Sequence, residues 1–170
     1  QARFYRVIAT CQSQGYTAGC SGGMAPIPAG PFIMGDTFAE GDFGERPTHT
    51  INVSAFCIDT NLVSYALWTN VYQWATSHGY SFGLAGSGKA ADHPVQSVSW
   101  YDMVKWCNAR SEKESLTPCY YTDPTQANPY RSGSIDLGSS SVKWMANGYR
   151  LPTEAEWEKA ARGGAAGHRF

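Results

Sequence analysis

The sequence predicts an α+β domain with little regular secondary structure. Three observations carry that expectation. Apolar residues recur at helical spacing in only three short runs, each preceded by a Ser or Thr in N-cap position. Strand-like alternation is confined to short pieces. Eighteen Gly and nine Pro punctuate the 170 residues, so loops dominate. Helices and strands do not alternate as in a parallel sheet wound with helices, and no repeat of 20–50 residues is present.

Residues 1–9, with Phe4, Tyr5, Val7 and Ile8, read as a short strand, and the Gly/Ser/Gln-rich residues 10–23 as a linker. Residues 1–23 are thus expected to be a strand and linker from a preceding module, or an N-terminal arm, with the domain proper at 24–170. Residues 24–35 place a turn at Ala29-Gly30-Pro31 before a short strand, and 36–47 form an acidic loop. Residues 49–58 alternate, with Ile51, Val53 and Ala55 on one face, which predicts one half-buried strand.

Ser64 caps a helix carrying Leu67, Trp68, Val71, Tyr72 and Ala75, stopped by Gly79. Residues 79–94 form a Gly/Ala/Ser loop and 95–98 a short extended piece. Ser99 and Asp102 resemble a capping box that opens a helix with Met103, Val104 and Cys107 on one face. Residues 115–149 are turn-rich, with Pro118, Pro124, Pro129, Gly133, Gly138 and Gly148, and suit short hairpins. Thr153 and Glu156 make a full capping box, and the helix runs through Trp157, Ala160 and Ala161 to Gly163-Gly164.

Thirteen Lys+Arg against fourteen Asp+Glu leave a formal charge of −1, which excludes a strongly basic nucleic-acid binder. Hydrophobic residues at 42% and aromatics at 14% exclude a disordered chain. No apolar run approaches the roughly 18 residues of a membrane span. The chain begins at Gln1 with no visible signal peptide and stops at Phe170 without a terminating pattern, so it looks processed or cut from something longer.

Five cysteines cannot all pair internally, and without a C-x-x-C no structural zinc site is expected. Cys11 and Cys20 flank a Gly-containing loop and suit a local bridge in an oxidising compartment; the alternative is that they stay reduced. Cys57 and Cys107 lie on apolar faces, as small buried hydrophobes do.

Gly83 to Lys89 matches all but the last letter of a phosphate-binding loop, but Ala90 replaces the hydroxyl that would hold Mg²⁺, and no helix follows. A flexible loop is the expectation. Asp36, Glu40, Asp42 and Glu45 could offer oxygens to Ca²⁺, but their spacing is not that of an EF-hand, which leaves a solvated acidic loop. His49, His78, His93 and His168 include no i, i+4 pair; His78 suits a helix C-terminus and His93 a turn. No Gly-x-Ser-x-Gly occurs. Glu154, Glu156 and Glu158 are explained by capping and the helix dipole. No catalytic, cofactor-binding or metal-ligating residue is assigned within the chain.

Whole segments are recognisable together: Met24-Ala-Pro-Ile-Pro-Ala-Gly-Pro-Phe-Ile-Met-Gly35, Glu45-Arg-Pro-Thr-His, Val53 to Asp59, His93 to Asp102, and Gly148-Tyr-Arg-Leu-Pro-Thr-Glu-Ala-Glu-Trp-Glu-Lys-Ala-Ala-Arg-Gly-Gly164. Their order and spacing resemble the sulfatase-modifying-factor family, the formylglycine-generating enzymes and their relatives, from Met24 to Phe170, with residues 111–147 as a loop insertion. The resemblance implies a C-type-lectin-like α+β fold whose C-terminal half is absent from this chain. It implies an oxidase that converts a cysteine of a protein or peptide substrate, of sulfatase type, to formylglycine with O₂ and a copper ion held by two cysteines. Ca²⁺ would support the fold, and the location would be secreted or periplasmic.

The copper cysteines and Ca²⁺ ligands of the family fall after Phe170, so Cys57, Cys107 and Cys119 are not carried over as catalytic. Cys107 falls where some members bridge to the missing half. Leu62 stands where formylglycine-generating members have a Glu that holds a basic substrate residue. Trp100, Met103, Val104 and Trp157 are expected to pack, and a chain lacking the second half would expose apolar surface. Two functions follow: part of a copper-dependent oxidase, or a non-catalytic lectin-like binding or scaffold domain of an exported protein. A relative using non-haem iron is a third, with few His or Asp ligands to support it. The sequence names no oligomeric state.

Overall fold

The structure, a computed structural model, describes residues 8–9, 20, 22–38 and 40–164. Phe4, Tyr5, Val7, Cys11, His168 and most of the 10–23 linker lie outside the described residues. The described strands form two antiparallel sheets. One has the order β2 (Met24–Ile27), β5 (Phe56–Asp59), β1 (Ile8–Ala9), β6 (Tyr149–Arg150); the other pairs β3 (Gly30–Met34) with β4 (His49–Val53). Helices α1 (Tyr65–Thr76) and α2 (Trp100–Lys113) pack on each other, α2 packs on β6, and α3 (Glu154–Arg162) covers the β3–β4 pair. The α+β class holds.

Two strand expectations change. Residues 49–58 are not one strand. β4 ends at Val53, and Phe56-Cys57-Ile58-Asp59 crosses to the larger sheet, where all four residues are buried. Alternation describes a strand with one wet face; a run of consecutive apolar residues needs cover on both. The second change is β2, read from sequence only as the approach to a turn. Its Pro26 lies opposite Cys57, a position a proline tolerates because β2 is an edge strand.

The helix starts follow the sequence. Ser64 Oγ accepts from the Leu67 amide at 3.2 Å, and Thr153 with Glu156 forms the reciprocal box. At α2, Ser99 Oγ accepts from the Asp102 amide at 3.1 Å, but the Asp102 carboxylate does not complete a box. It accepts instead from the Gly83 and Leu84 amides at 2.8 and 3.1 Å.

α2 is the centre of the molecule rather than a one-faced helix: Asp102 through Ser111 are all buried. Its polar residues can be buried because each is partnered. Lys105 Nζ donates to the Ser81 and Gly133 carbonyls at 2.7 and 3.0 Å and lies 3.3 Å from Asp102. Asn108 accepts from the Cys119 and Tyr120 amides and donates to the Tyr120 and Tyr130 carbonyls, bracing the turn-rich segment. Trp106 stacks on Trp68 of α1 at 5.4 Å, 3° from parallel.

The cysteines correct the local-bridge expectation. Cys20 bonds Cys57, across 37 residues, so neither a Cys11–Cys20 bridge nor a reduced Cys57 describes the fold. Cys57 sits in β5, which pairs with β2, and Cys20 lies four residues before β2 begins.

Candidate functional site

An open cleft of about 250 Å³ lies between the start of α2, the 137–144 segment and residues 151–153. Trp100, Tyr120, Leu137, Val142, Trp144 and Leu151 supply its walls. Ser99 sets Trp100 at the first turn of α2. Trp144 is fixed by its indole N–H, which donates to the Ser139 carbonyl at 3.1 Å, and Tyr120 accepts the Leu151 amide at 2.9 Å. These rings form a neutral, largely apolar wall.

Behind the cleft lies the charge. Arg150 sits with its guanidinium 5.1 Å from the Trp144 ring and meets Glu156 in a bidentate pair at 2.7 and 2.6 Å. Burial works against ionising Glu156, yet Arg150 and the Thr153 amide and hydroxyl together hold its carboxyl below the usual carboxylate range. Arg150 Nε is buried without a hydrogen-bond partner. A second pair, Arg110 to Asp59 at 3.0 Å, carries its guanidinium 3.9 Å over the Tyr149 ring.

What the cleft can do follows from what lines it. No carboxylate, imidazole, thiol or amine is among the lining side chains, which offer rings, aliphatic groups and the hydroxyls of Tyr120, Ser139 and Thr153. The two free cysteines do not line the cleft. Cys107 and Cys119 are each 0% exposed. Burial pushes the Cys119 thiol up to about 11 and the Cys107 thiol higher still, so neither is a thiolate at neutral pH.

The remaining sequence candidates stay apart. Among the described residues, no three His, Cys, Asp or Glu side chains come together to hold a metal. With the free thiols buried and protonated, the described residues do not fit a copper centre. Asp36 accepts the Phe38 and Gly41 amides at 2.7 and 2.8 Å and shapes its own loop. His78 stacks on Trp74 with centroids 3.9 Å apart and its Nδ1 2.7 Å from the Trp74 carbonyl, a helix-end contact.

The Gly83–Lys89 loop is pinned rather than flexible. Its first amides are taken by Asp102, Trp68 Nε1 donates to the Ala85 carbonyl at 2.8 Å, and Ser87 bridges to Gln96. The Gly83, Leu84 and Ser87 amides are already bonded. Leu62 is half-buried, next to the buried Val63. Trp100 and Trp157, expected to pack, are 40% and 55% exposed, since no described element lies over them. The cleft itself was not foreseen. Trp144 comes from the turn-rich 115–149 stretch, with no periodicity to mark it, and Arg150 from the two-residue strand β6 that follows.

Residues 15–170 match the family described as Sulfatase-modifying factor enzyme 1-like domain. Over 159 residues the chain is 35% identical to a protein from Streptomyces coelicolor named Formylglycine-generating enzyme, covering 87% of this chain and 49% of that protein. It is 44% identical over 88 residues to a Paenibacillus barcinonensis protein named Chaperone protein LppX, covering 48% of this chain and 30% of that one. A crystal structure of CarF superposes with a TM-score of 0.66 at 31% identity, over 83% of this chain and 57% of that one. The chain spans about half the length, or less, of the curated relatives it matches.

Proposed function

The chain belongs to the Sulfatase-modifying factor enzyme 1-like family, and we propose that it forms the scaffold part of a formylglycine-generating type of oxidase. Such an enzyme converts a cysteine of a protein substrate to an aldehyde. The observation that carries this reading is the 35% identity over 87% of the chain to a protein named for that activity. In this proposal copper supplies the oxygen chemistry, and its ligands lie outside the described residues. Ca²⁺ rests on the family resemblance. Export has independent support in the Cys20–Cys57 disulfide, which suits an oxidising compartment. No helix of the described residues is long and apolar enough to cross a membrane.

The chain's own residues would position the substrate rather than react. The Trp100–Trp144 cleft offers a neutral seat, and the buried Arg150–Glu156 pair holds the wall against which it is built. A second reading, a non-catalytic binding or scaffold domain, is favoured by two observations. The cleft is lined by no carboxylate, imidazole, thiol or amine, and one relative is named a chaperone protein.

The deciding experiment expresses the whole protein that carries this segment, supplies Cu(I), O₂ and a reductant, and offers a cysteine-containing peptide from a sulfatase. Mass spectrometry and hydrazide labelling then read aldehyde formation. Aldehyde that depends on copper supports the oxidase. Unchanged peptide, with copper loading verified, overturns it in favour of the binding domain.

A further inference from the structure

The larger sheet has an unusual interior strand. β1 is only two residues long, yet it separates β5 from β6: Ile8 lies opposite both Ile58 and Arg150, and Ala9 opposite both Cys57 and Tyr149. Both flanking strands are buried throughout, as are the two strand partners Ile58 and Arg150 themselves. The Tyr149 amide donates to Ser111 Oγ at 2.8 Å, on the α2 side. Successive strand amides point in opposite directions, so the Arg150 amide faces β1. An empty slot would leave such groups buried and unpaired, at a cost that native structures avoid. The slot therefore requires a strand.

The strand that fills it, β1, lies before the residues matched to the family, which begin at residue 15. It joins the rest of the fold through residues 10–19 and is then anchored at Cys20 by the bond to Cys57, the residue opposite Ala9. The slot selects for an extended backbone on both sides, the recognition mode of strand addition. It requires little of the side chains beyond a free N–H, so proline is excluded.

We propose that the β5–β6 slot is a strand-acceptor site, filled in cis by Ile8–Ala9, and that its ligand in trans is the same N-terminal segment of a second copy. Every copy carries a segment already complementary to the slot, and exchange of an identical element conserves all its contacts. The tether sets the balance. A strand on a short linker competes at an effective concentration of order millimolar, so the cis strand holds the slot unless it is weakened.

The test uses the full chain with Ile8→Pro, which removes a ladder donor from β1, and a fluorescein-labelled synthetic peptide spanning residues 4–12 with Cys11→Ser. Hydrogen exchange at Cys57 and Arg150, whose amides face β1, is expected to speed up about tenfold or more in the variant while α2 and the Ile58 amide, which faces β2, stay protected. Added peptide restores the protection and binds the variant at least about tenfold more tightly than the unaltered chain, which must first release its own strand. A peptide carrying Ile8→Pro does neither. Unchanged exchange in the variant, or binding equal for the two chains, overturns the proposal. Should the variant fail to fold, the unaltered chain decides: saturable binding at millimolar peptide supports the site, and none overturns it.

Discussion

Glu156 shows how one side chain ties sequence to packing. It closes the capping box of α3 through the Thr153 amide at 2.8 Å, and the same carboxylate receives Arg150. Its proton affinity is held below the ordinary value of 4.5 despite burial. A carboxyl lowered on folding contributes stability that is fully present above the unfolded value and is lost as pH falls through the folded one. Glu156→Gln keeps the shape and removes the charge. It should cost about 3–5 kcal/mol at pH 7, since Arg150 is left buried and uncompensated. Urea unfolding at pH 7 and pH 3 checks this: the gap between the two pH values should shrink in the variant. A variant with the unaltered pH dependence would show that the pair does not hold this corner.

At the scale of the element, α2 decides the architecture because it is buried on every side, and its charges are the means. Lys105 satisfies two carbonyls from separate loops and faces Asp102, which in turn holds the Gly83 and Leu84 amides. The loops at 81–88 and 130–133 are thereby fastened to one helix. Lys105→Met has the length to fill the space but leaves Asp102 uncompensated. Denaturant titration should register a loss of about 3–5 kcal/mol. Because the damage reaches both loops, exchange at Gly83 and Leu84 should rise before the helix itself opens. A loss under about 1 kcal/mol would show that burying this lysine costs as much as its bonds return.

The molecule as a whole leaves several large apolar side chains at its surface. Trp100, Trp144, Met145 and Trp157 are all exposed, with two of these rings lining the same cleft. Large exposed apolar patches mark association surfaces. The 170-residue chain is therefore expected to bind a hydrophobic dye and to scatter more light as concentration rises. Trp144→Ser should lower both signals while leaving the melt intact, because Trp144 is a wall of the cleft and not part of the core. A monomeric unaltered chain with no dye binding would contradict this. The Cys20–Cys57 bond works against unfolding at the same scale: closing 37 residues is worth about 4 kcal/mol in the chain-entropy account.

The sequence by itself determined the class, the three helix starts, the acidic and glycine-rich loops and the family. Each of these rests on local chemistry: a cap hydroxyl within three residues of its amide, a period of apolar residues, or a run of motif letters in order. Gly163 ends α3 in the left-handed conformation for the same local reason. Tertiary structure alone decided the rest. Cys57 bonds Cys20, 37 residues away, because the fold brings the segment before β2 back to β5. Asp102 left its expected box because two loop amides, 18 and 19 residues away in sequence, offered better bonds. The cleft joins Trp100 to Trp144 across 44 positions of chain that carry no shared period. Spacing reports only what neighbours along the chain do to one another. Partners that meet through packing leave no mark on it.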